Sequence, residues 1–238
     1  MDQDNRTAWD QLNHEIIACR TCPRLVAWRE EVAQTKRRAY REWTYWGRPV
    51  PGFGDRNARL LILGLAPGAH GSNRTGRMFT GDSSGDTLYA ALQRAGWANR
   101  SRATHVGDDL KLRDVFITAV ARCAPPKNRP TAQELASCRP FLERELRLLP
   151  NVRVVLALGR VAFDGYRGLL RNRGFAVPKL AFGHGVCYNV PGPWPTLMAS
   201  YHPSRQNTQT GRLSEAMLDE VLVQASQQLD TIGASTVT

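Results

Sequence analysis

The sequence has no apolar run approaching the roughly 18 residues that a membrane span needs. Its opening, MDQDNRTAWD, is polar and acidic, with no apolar segment behind it of the kind a secretory leader carries. The expectation is a cytoplasmic chain with no membrane partner, in a compartment where thiols stay reduced. Cysteine is scarce, at five residues, so these read as ligands, a nucleophile or core residues rather than a disulfide set. Acidic side chains are also in short supply: 21 Asp and Glu face 32 Lys and Arg, a net charge of +11. Such an excess points to a polyanionic partner more than to a merely basic soluble protein. Most of the cations are arginine, the better bidentate phosphate ligand. There is no internal repeat and no long low-complexity tract.

What is present is globular. A hydrophobic content of 42% in 238 residues suits one large domain spanning 1–238, with a basic, cysteine-bearing N-terminal extension over about 1–55. Four apolar runs are continuous rather than alternating, as strands buried on both faces are: Arg59–Gly64, Val115–Val120, Val152–Leu158 and Thr196–Ser200. Between them lie helical patterns. Leu88, Ala91, Leu92 and Ala95 share one face of a helix that Ser83 and Ser84 can cap and Gly96 ends. Thr131 and Glu134 form a capping-box pattern opening a second helix, which Pro140 should disturb. A third helix follows Leu158, and the last runs from near Leu213 to Leu229. Strands alternating with helices predict an α/β fold, a three-layer α/β/α sandwich around a four-stranded, mainly parallel sheet. Ligands of such sheets bind beyond the carboxyl ends of the strands. GLAPGAHG (64–71), ARCAPPKNRP (121–130) and SYHPSRQN (200–207) all fall there.

GLAPGAHG offers no Asp, Glu, Ser or Cys, so any reactive group comes from elsewhere. Its glycines suit a close approach of backbone to ligand. SNRTGRMFTGDSSGD (72–86) follows, with Phe79 either stacking on a planar ligand or plugging the loop from beneath. Of its two carboxylates, Asp86 sits where it can serve the helix start. Asp82, after Gly81, is freer to point into a cleft. His202 leaves a strand end before Pro203, and Ser204, Arg205, Lys127, Asn128 and Arg129 supply polar and cationic groups on neighbouring loops. In TKRRAYREWTYWGRP (35–49) basic residues interleave with aromatics. This pattern suits phosphates and exposed bases, or aromatics packed on the domain with charges in water. Cys19-x-x-Cys22, Cys123 and Cys138 could hold zinc or a [4Fe–4S] cluster, or be buried reduced thiols; Cys187 stands apart as a core residue.

Taken together these residues resemble the uracil-DNA glycosylase superfamily, specifically its iron–sulfur type-b branch, family five. GLAPGAHGSNRTGRMFTGD is similar to that branch's first motif and HPSRQN to its last, and the resemblance spans roughly residues 10–225. It implies hydrolysis of the N-glycosidic bond of a deaminated base flipped out of DNA, with oxocarbenium character at the sugar. It implies that His202 hydrogen-bonds the leaving base, that Phe79 stacks on it, and that Asn128 and Asn207 are polar groups of the site. Gly64, Ala66, Pro67 and Gly68 would form the substrate-binding turn. Ser204, Arg205, Lys127, Arg129 and Arg74 would contact DNA. Asp82 becomes the carboxylate that activates water or stabilises the sugar cation. The four cysteines fall where the branch holds a [4Fe–4S] cluster, which puts zinc behind.

Two departures from other branches stand out. Leu65 and Ala66 occupy a turn that elsewhere carries a carboxylate or other polar residue, as in GEAPG or GQDPYH. Ala119 in ITAVARC replaces a base-reading Asn. A pocket without those groups should accept hypoxanthine and ethenocytosine as well as uracil. No lysine presents itself as a Schiff-base nucleophile, so the expectation is a monofunctional enzyme without lyase activity, acting as a monomer in a bacterial or archaeal nucleoid. The alternatives are a non-catalytic iron–sulfur DNA-binding protein and a zinc-bearing nucleotide-binding module.

Overall fold

A computed structural model describes residues 3–175 and 180–235. Its centre is a sheet in the order β1-β3-β2-β4-β6-β5. Strands β2 (Leu60–Gly64), β3 (Val115–Ala119), β4 (Val154–Leu158) and β6 (Thr196–Ser200) are the four continuous apolar runs, each trimmed by up to two residues, and all pair in parallel. The expected four strands are therefore the middle of the sheet and not all of it. Two-residue strands β1 (Phe53–Gly54) and β5 (Cys187–Tyr188) close the edges in antiparallel pairing with β3 and β6. Edges this short leave little backbone for another chain to pair with.

Successive residues along β2 show why the strands are apolar throughout. Leu60 and Ile62 join a core with α4 (Ser83–Arg94) and α8 (Glu215–Ser235), through Leu88, Leu92, Leu218 and Leu222. Leu61 and Leu63 join the opposite core with Trp9 and Leu12 of α1 (Gln3–Ala18), Leu142 of α5 (Ala132–Leu148), and Phe163 and Tyr166 of α6 (Arg160–Asn172). The three-layer arrangement follows from this alternation on a sheet covered on both sides.

Helix α5 carries the capping box read from Thr131 and Glu134. It also runs unbroken through Pro140, contrary to expectation. The lost hydrogen bond and ring clash there are outweighed by the helix's buried face, where Cys138 and Leu142 pack and the Glu145 carboxylate meets the Arg122 guanidinium 2.5 Å away. Arg122 also donates to the Thr118 hydroxyl.

Residues ahead of the sheet are packed onto it. Helix α2 (Pro23–Thr35) opens with Pro at its first position and Cys22 as its N-cap residue. Beyond a turn of 3₁₀ helix at Arg38–Tyr40, the backbone N–H groups of Trp46 and Gly47 donate to the carbonyls of Arg74 and Asn73. Val50 N–H donates to Arg122 O. Of the aromatics of 35–49, Tyr45 is buried and Tyr40 and Trp46 are partly buried, while Trp43 stays exposed along with Arg37, Arg38, Arg41 and Arg48.

Candidate active site

The loops after β2, β3 and β6 enclose a cavity of about 340 Å³ at the carboxyl ends of the strands. Leu65, Ala66, Gly68, Ser72, Met78, Phe79, Asp82, Ser84, Asn128, His202, Ser204 and Gln206 line it. That volume is at the small end of ligand pockets, about 300–1,000 Å³, and suits one planar base. A larger hollow of about 620 Å³ lies between α1, α2 and residues 45–48, and none of its lining residues comes from a strand end.

Glycine in the first turn has a use in packing. A Cβ on Gly71 would lie 2.0 Å from Asp82 Oδ2, and one on Gly68 would lie 2.7 Å from it. A Cβ on Gly64 would meet the Phe79 ring at 2.8 Å. The glycines make room for two side chains of the following loop, and Gly68 also lines the cavity. Gly64 itself is buried behind Phe79, and Pro67 is buried too; neither forms the cavity wall, whereas Ala66 and Gly68 do.

Asp82, not Asp86 or the serines, is the N-cap of α4: its Oδ1 accepts from Gly85 N–H at 3.1 Å. Asp86 lies outward, 3.5 Å from Arg102 Nε. A side chain one turn earlier wins the cap because it alone has backbone in the extended conformation a cap requires. The cap does not take Asp82 out of the cleft, since the carboxylate still lines the cavity. Burial pushes its pKa up, opposed by hydrogen bonds from the N–H groups of Gly85 and Ser84; Asp86 adds to the rise and Arg74 subtracts from it.

Phe79 is held in the left-handed region, with φ of 51°, a strained setting for an aromatic residue. Its ring stacks on the His202 imidazole with centroids 5.8 Å apart and planes 25° apart. Burial alone pulls the His202 pKa down to about 4, so the imidazole is neutral at physiological pH. Asn128 reaches the cavity from a tight turn in which Lys127 and Asn128 both have positive φ, 54° and 55°. Lys127, Arg129 and Arg205 are exposed near it.

Two expected contacts are placed elsewhere. Asn207 belongs to α7 (Arg205–Gln209) and donates through Nδ2 to His202 O at 2.8 Å, bracing the histidine's backbone. Ser204 caps α7 and reaches the cavity, and Gln206 joins Asn128 in its lining. Arg74 is 4% exposed and so is no surface cation. Its guanidinium lies 4.0 Å from the Tyr40 ring centre and 4.1 Å from that of Trp43, where cation–π attraction replaces hydration. Ala119 is buried at the end of β3 and brings no polar group to the cavity.

Cys19 follows α1, Cys22 starts α2, Cys123 follows β3 and Cys138 lies on α5. The four thiols are near enough to act on one another. Burial raises the pKa of each of Cys22, Cys123 and Cys138, Cys123 to about 12, and Cys19 raises all three further. Buried Arg29 donates to Cys123 Sγ at 2.9 Å and to Cys19 O at 3.1 Å. Among the described residues no three His, Cys, Asp or Glu side chains close tightly enough to grip a single ion. Cys187 is exposed, not a core residue. No helix among the described residues is long and apolar enough to cross a membrane.

Residues 51–225 match the family model described as the Uracil DNA glycosylase superfamily. The chain is 56% identical over 212 residues to the "Type-5 uracil-DNA glycosylase" of Thermus thermophilus, covering 89% of this chain and 94% of that one. It is 52% identical over 218 residues to the protein of the same name from Mycobacterium bovis, covering 91% and 80% of the two chains. With that of Pyrobaculum aerophilum the identity is 45% over 218 residues and 92% of each chain. A match over this much of its length, on a sheet whose strand ends converge as described, means that the chain belongs to the uracil DNA glycosylase superfamily.

Proposed function

We propose that this protein is a DNA repair enzyme that hydrolyses the N-glycosidic bond between uracil and deoxyribose in DNA, leaving an abasic site. The observation that carries the reading is the joining of Asp82, His202, Phe79 and Asn128 around one base-sized cavity. The names of the type-5 relatives support it. The exposed Lys127, Arg129 and Arg205 hold the DNA backbone while the target base is flipped into the cavity, against the Phe79 ring. Bond cleavage leaves negative charge on the departing base and positive charge on the sugar. His202, neutral because it is buried, donates a hydrogen bond to the base as that charge develops. The Asp82 carboxylate stabilises the sugar cation and orients the attacking water, with Asn128 beside it. The reaction proposed is simple hydrolysis, without strand cleavage.

The apolar Leu65 and Ala66 in the wall support a tolerant base pocket that also takes hypoxanthine and ethenocytosine. Cys19, Cys22, Cys123 and Cys138 are the residues that would hold a [4Fe–4S] cluster. The fit rests on four thiols drawn from three segments, the loop between α1 and α2, the loop after β3 and α5, beside a buried guanidinium that complements anionic sulfur. Thiolates bound to four separate irons stand farther apart than those gripping one tetrahedral zinc. Such a cluster would tie the N-terminal helices to the loop after β3 and to α5, a structural task.

The test is excision of uracil from a labelled single-stranded oligonucleotide, read as strand cleavage after alkali, on protein checked for iron and visible absorbance. Cleavage only after alkali is the expected result. DNA binding without cleavage would overturn the reading in favour of a non-catalytic DNA-binding protein. The same assay over hypoxanthine, xanthine and ethenocytosine, in single and double strands, tests the base range. Borohydride trapping of a covalent intermediate would refute the absence of lyase chemistry.

A further inference from the structure

Arg74 is the least expected cation in the molecule. It carries no carboxylate partner among the described residues, although it is 4% exposed. Three things hold it. The rings of Tyr40 and Trp43 lie at 4.0 and 4.1 Å from the guanidinium carbon. Its Nε donates to His70 O at 2.8 Å, and its Nη2 donates to Gly81 O at 2.8 Å. Those two carbonyls belong to the two segments that shape the Asp82 socket: His70 precedes Gly71, and Gly81 precedes Asp82. Gly81 has φ of +84°, and a Cβ there would lie 2.5 Å from Arg74 Nη2, so the close approach of loop and guanidinium needs glycine. A further cavity, of about 290 Å³, has Tyr40, Trp43, Arg74, Asp82 and Arg102 in its walls, so the clamp and the carboxylate share one wall.

We propose that Arg74 is a positioning residue for Asp82: clamped between Tyr40 and Trp43, it ties the glycine turn to the Asp82 loop, so that the segment before the sheet sets the aim of the active-site carboxylate. The inference rests on the role given to Asp82 above. Besides Arg74, the groups that face Asp82 are Asp86 with its partner Arg102, the buried Tyr89 phenol, the N–H groups of Ser84 and Gly85, and His202 across the cavity. Of the charged groups acting on Asp82, Asp86 favours protonation and Arg74 opposes it. Removing Arg74 therefore loosens the loop and also makes the carboxylate easier to protonate.

The experiment is single-turnover excision of uracil from acid to neutral pH, with DNA affinity measured alongside, for Arg74→Met, Arg74→Lys, Trp43→Ala and Asp82→Asn. Arg74→Met is expected to lose on the order of 10²-fold in rate, the scale of a misplaced reacting group. Its acid limb should move to higher pH, and its affinity for DNA should be unchanged. Arg74→Lys keeps the charge but cannot bridge both carbonyls, so the limb should return while the rate stays low. Trp43→Ala, at a half-exposed rim position, should lose rate by a smaller factor and serves if Arg74→Met fails to fold. A rate loss with an unmoved acid limb in Arg74→Met, or an unreduced rate in Trp43→Ala if the former does not fold, would overturn the inference. A loss of DNA affinity in Arg74→Met would make Arg74 a phosphate contact and overturn it as well. If Asp82→Asn is fully active, the reading of Asp82 itself fails. If Asp82→Asn is inactive while both clamp variants match the wild type, this inference alone fails.

Discussion

Asp82→Asn separates chemistry from folding at the centre of the site. Asp82 caps α4 through Oδ1, 3.1 Å from Gly85 N–H, and an Asn oxygen can accept the same bond. Asn and Asp are equivalent caps, and burial already disfavours the Asp82 charge, so the favourable term lost at the helix N-terminus is offset and the net cost is at most about 1 kcal/mol. In a chain of this size that lowers Tm by at most about 4 °C. Asp82→Ala removes the cap as well, at about 1 kcal/mol, and should melt a few degrees lower. Neither change unfolds a protein whose total stability is of the usual 5–15 kcal/mol, roughly. Excision should nevertheless fall by about 10²–10⁴ in both, the range for losing a positioned acid–base or charge-stabilising group. The assay is single-turnover release of uracil at saturating enzyme, beside a thermal melt of the same samples. An Asp82→Asn protein that excises within a few-fold of wild type would refute the role of the carboxylate. One that melts far below wild type would refute the equivalence of the caps.

Three further outcomes are expected. Gly71→Ala puts a methyl 2.0 Å from Asp82 Oδ2, so the carboxylate must leave its socket, and excision should fall nearly as far as in Asp82→Asn; wild-type activity would show that the socket is not required. The His202 imidazole should titrate near pH 4 by NMR, far below the ordinary 6.5, because burial disfavours its cation. With the folded pKa below the unfolded one, its contribution to stability is intact above 6.5 and shrinks as pH falls towards 4; a midpoint at or above 6.5 would contradict a neutral donor. Glu145→Ala strands the buried Arg122 guanidinium, a change that costs about 3–5 kcal/mol, so Tm should drop by roughly 6–20 °C, and an unchanged melt would show that the pair is solvated.

The parallel strands were legible because burial on both faces leaves a continuous apolar signature, as in LLIL at 60–63. The edge pairs Phe53–Gly54 and Cys187–Tyr188 were not, since two residues carry no period. Helix α2 left a usable sign, Pro23 at its first position, that is easily read as part of the cysteine motif instead. The site was legible in its residue types and less so in their tasks. TGDSSGD contains five side chains able to cap a helix, and only the backbone of the folded loop selects Asp82. Arg74 reads as a surface cation because burial of an unpaired arginine leaves no local pattern; its partners Tyr40 and Trp43 lie some thirty residues earlier. Gln206, next to exposed Arg205, likewise owes its place in the cavity to the turn that Ser204 caps.

The socket that Gly68 and Gly71 form around Asp82 also works as a gauge of length. With Oδ2 already set against the turn, a glutamate at 82 has nowhere to put its extra methylene except by pushing its carboxylate past the glycines or out of the cavity. The turn and the Asp82 loop are therefore matched parts, like a key and its lock. Exchange of either one alone with a relative whose turn carries a side chain at 68 or 71 should yield a folded but silent protein, and exchange of both together should restore it.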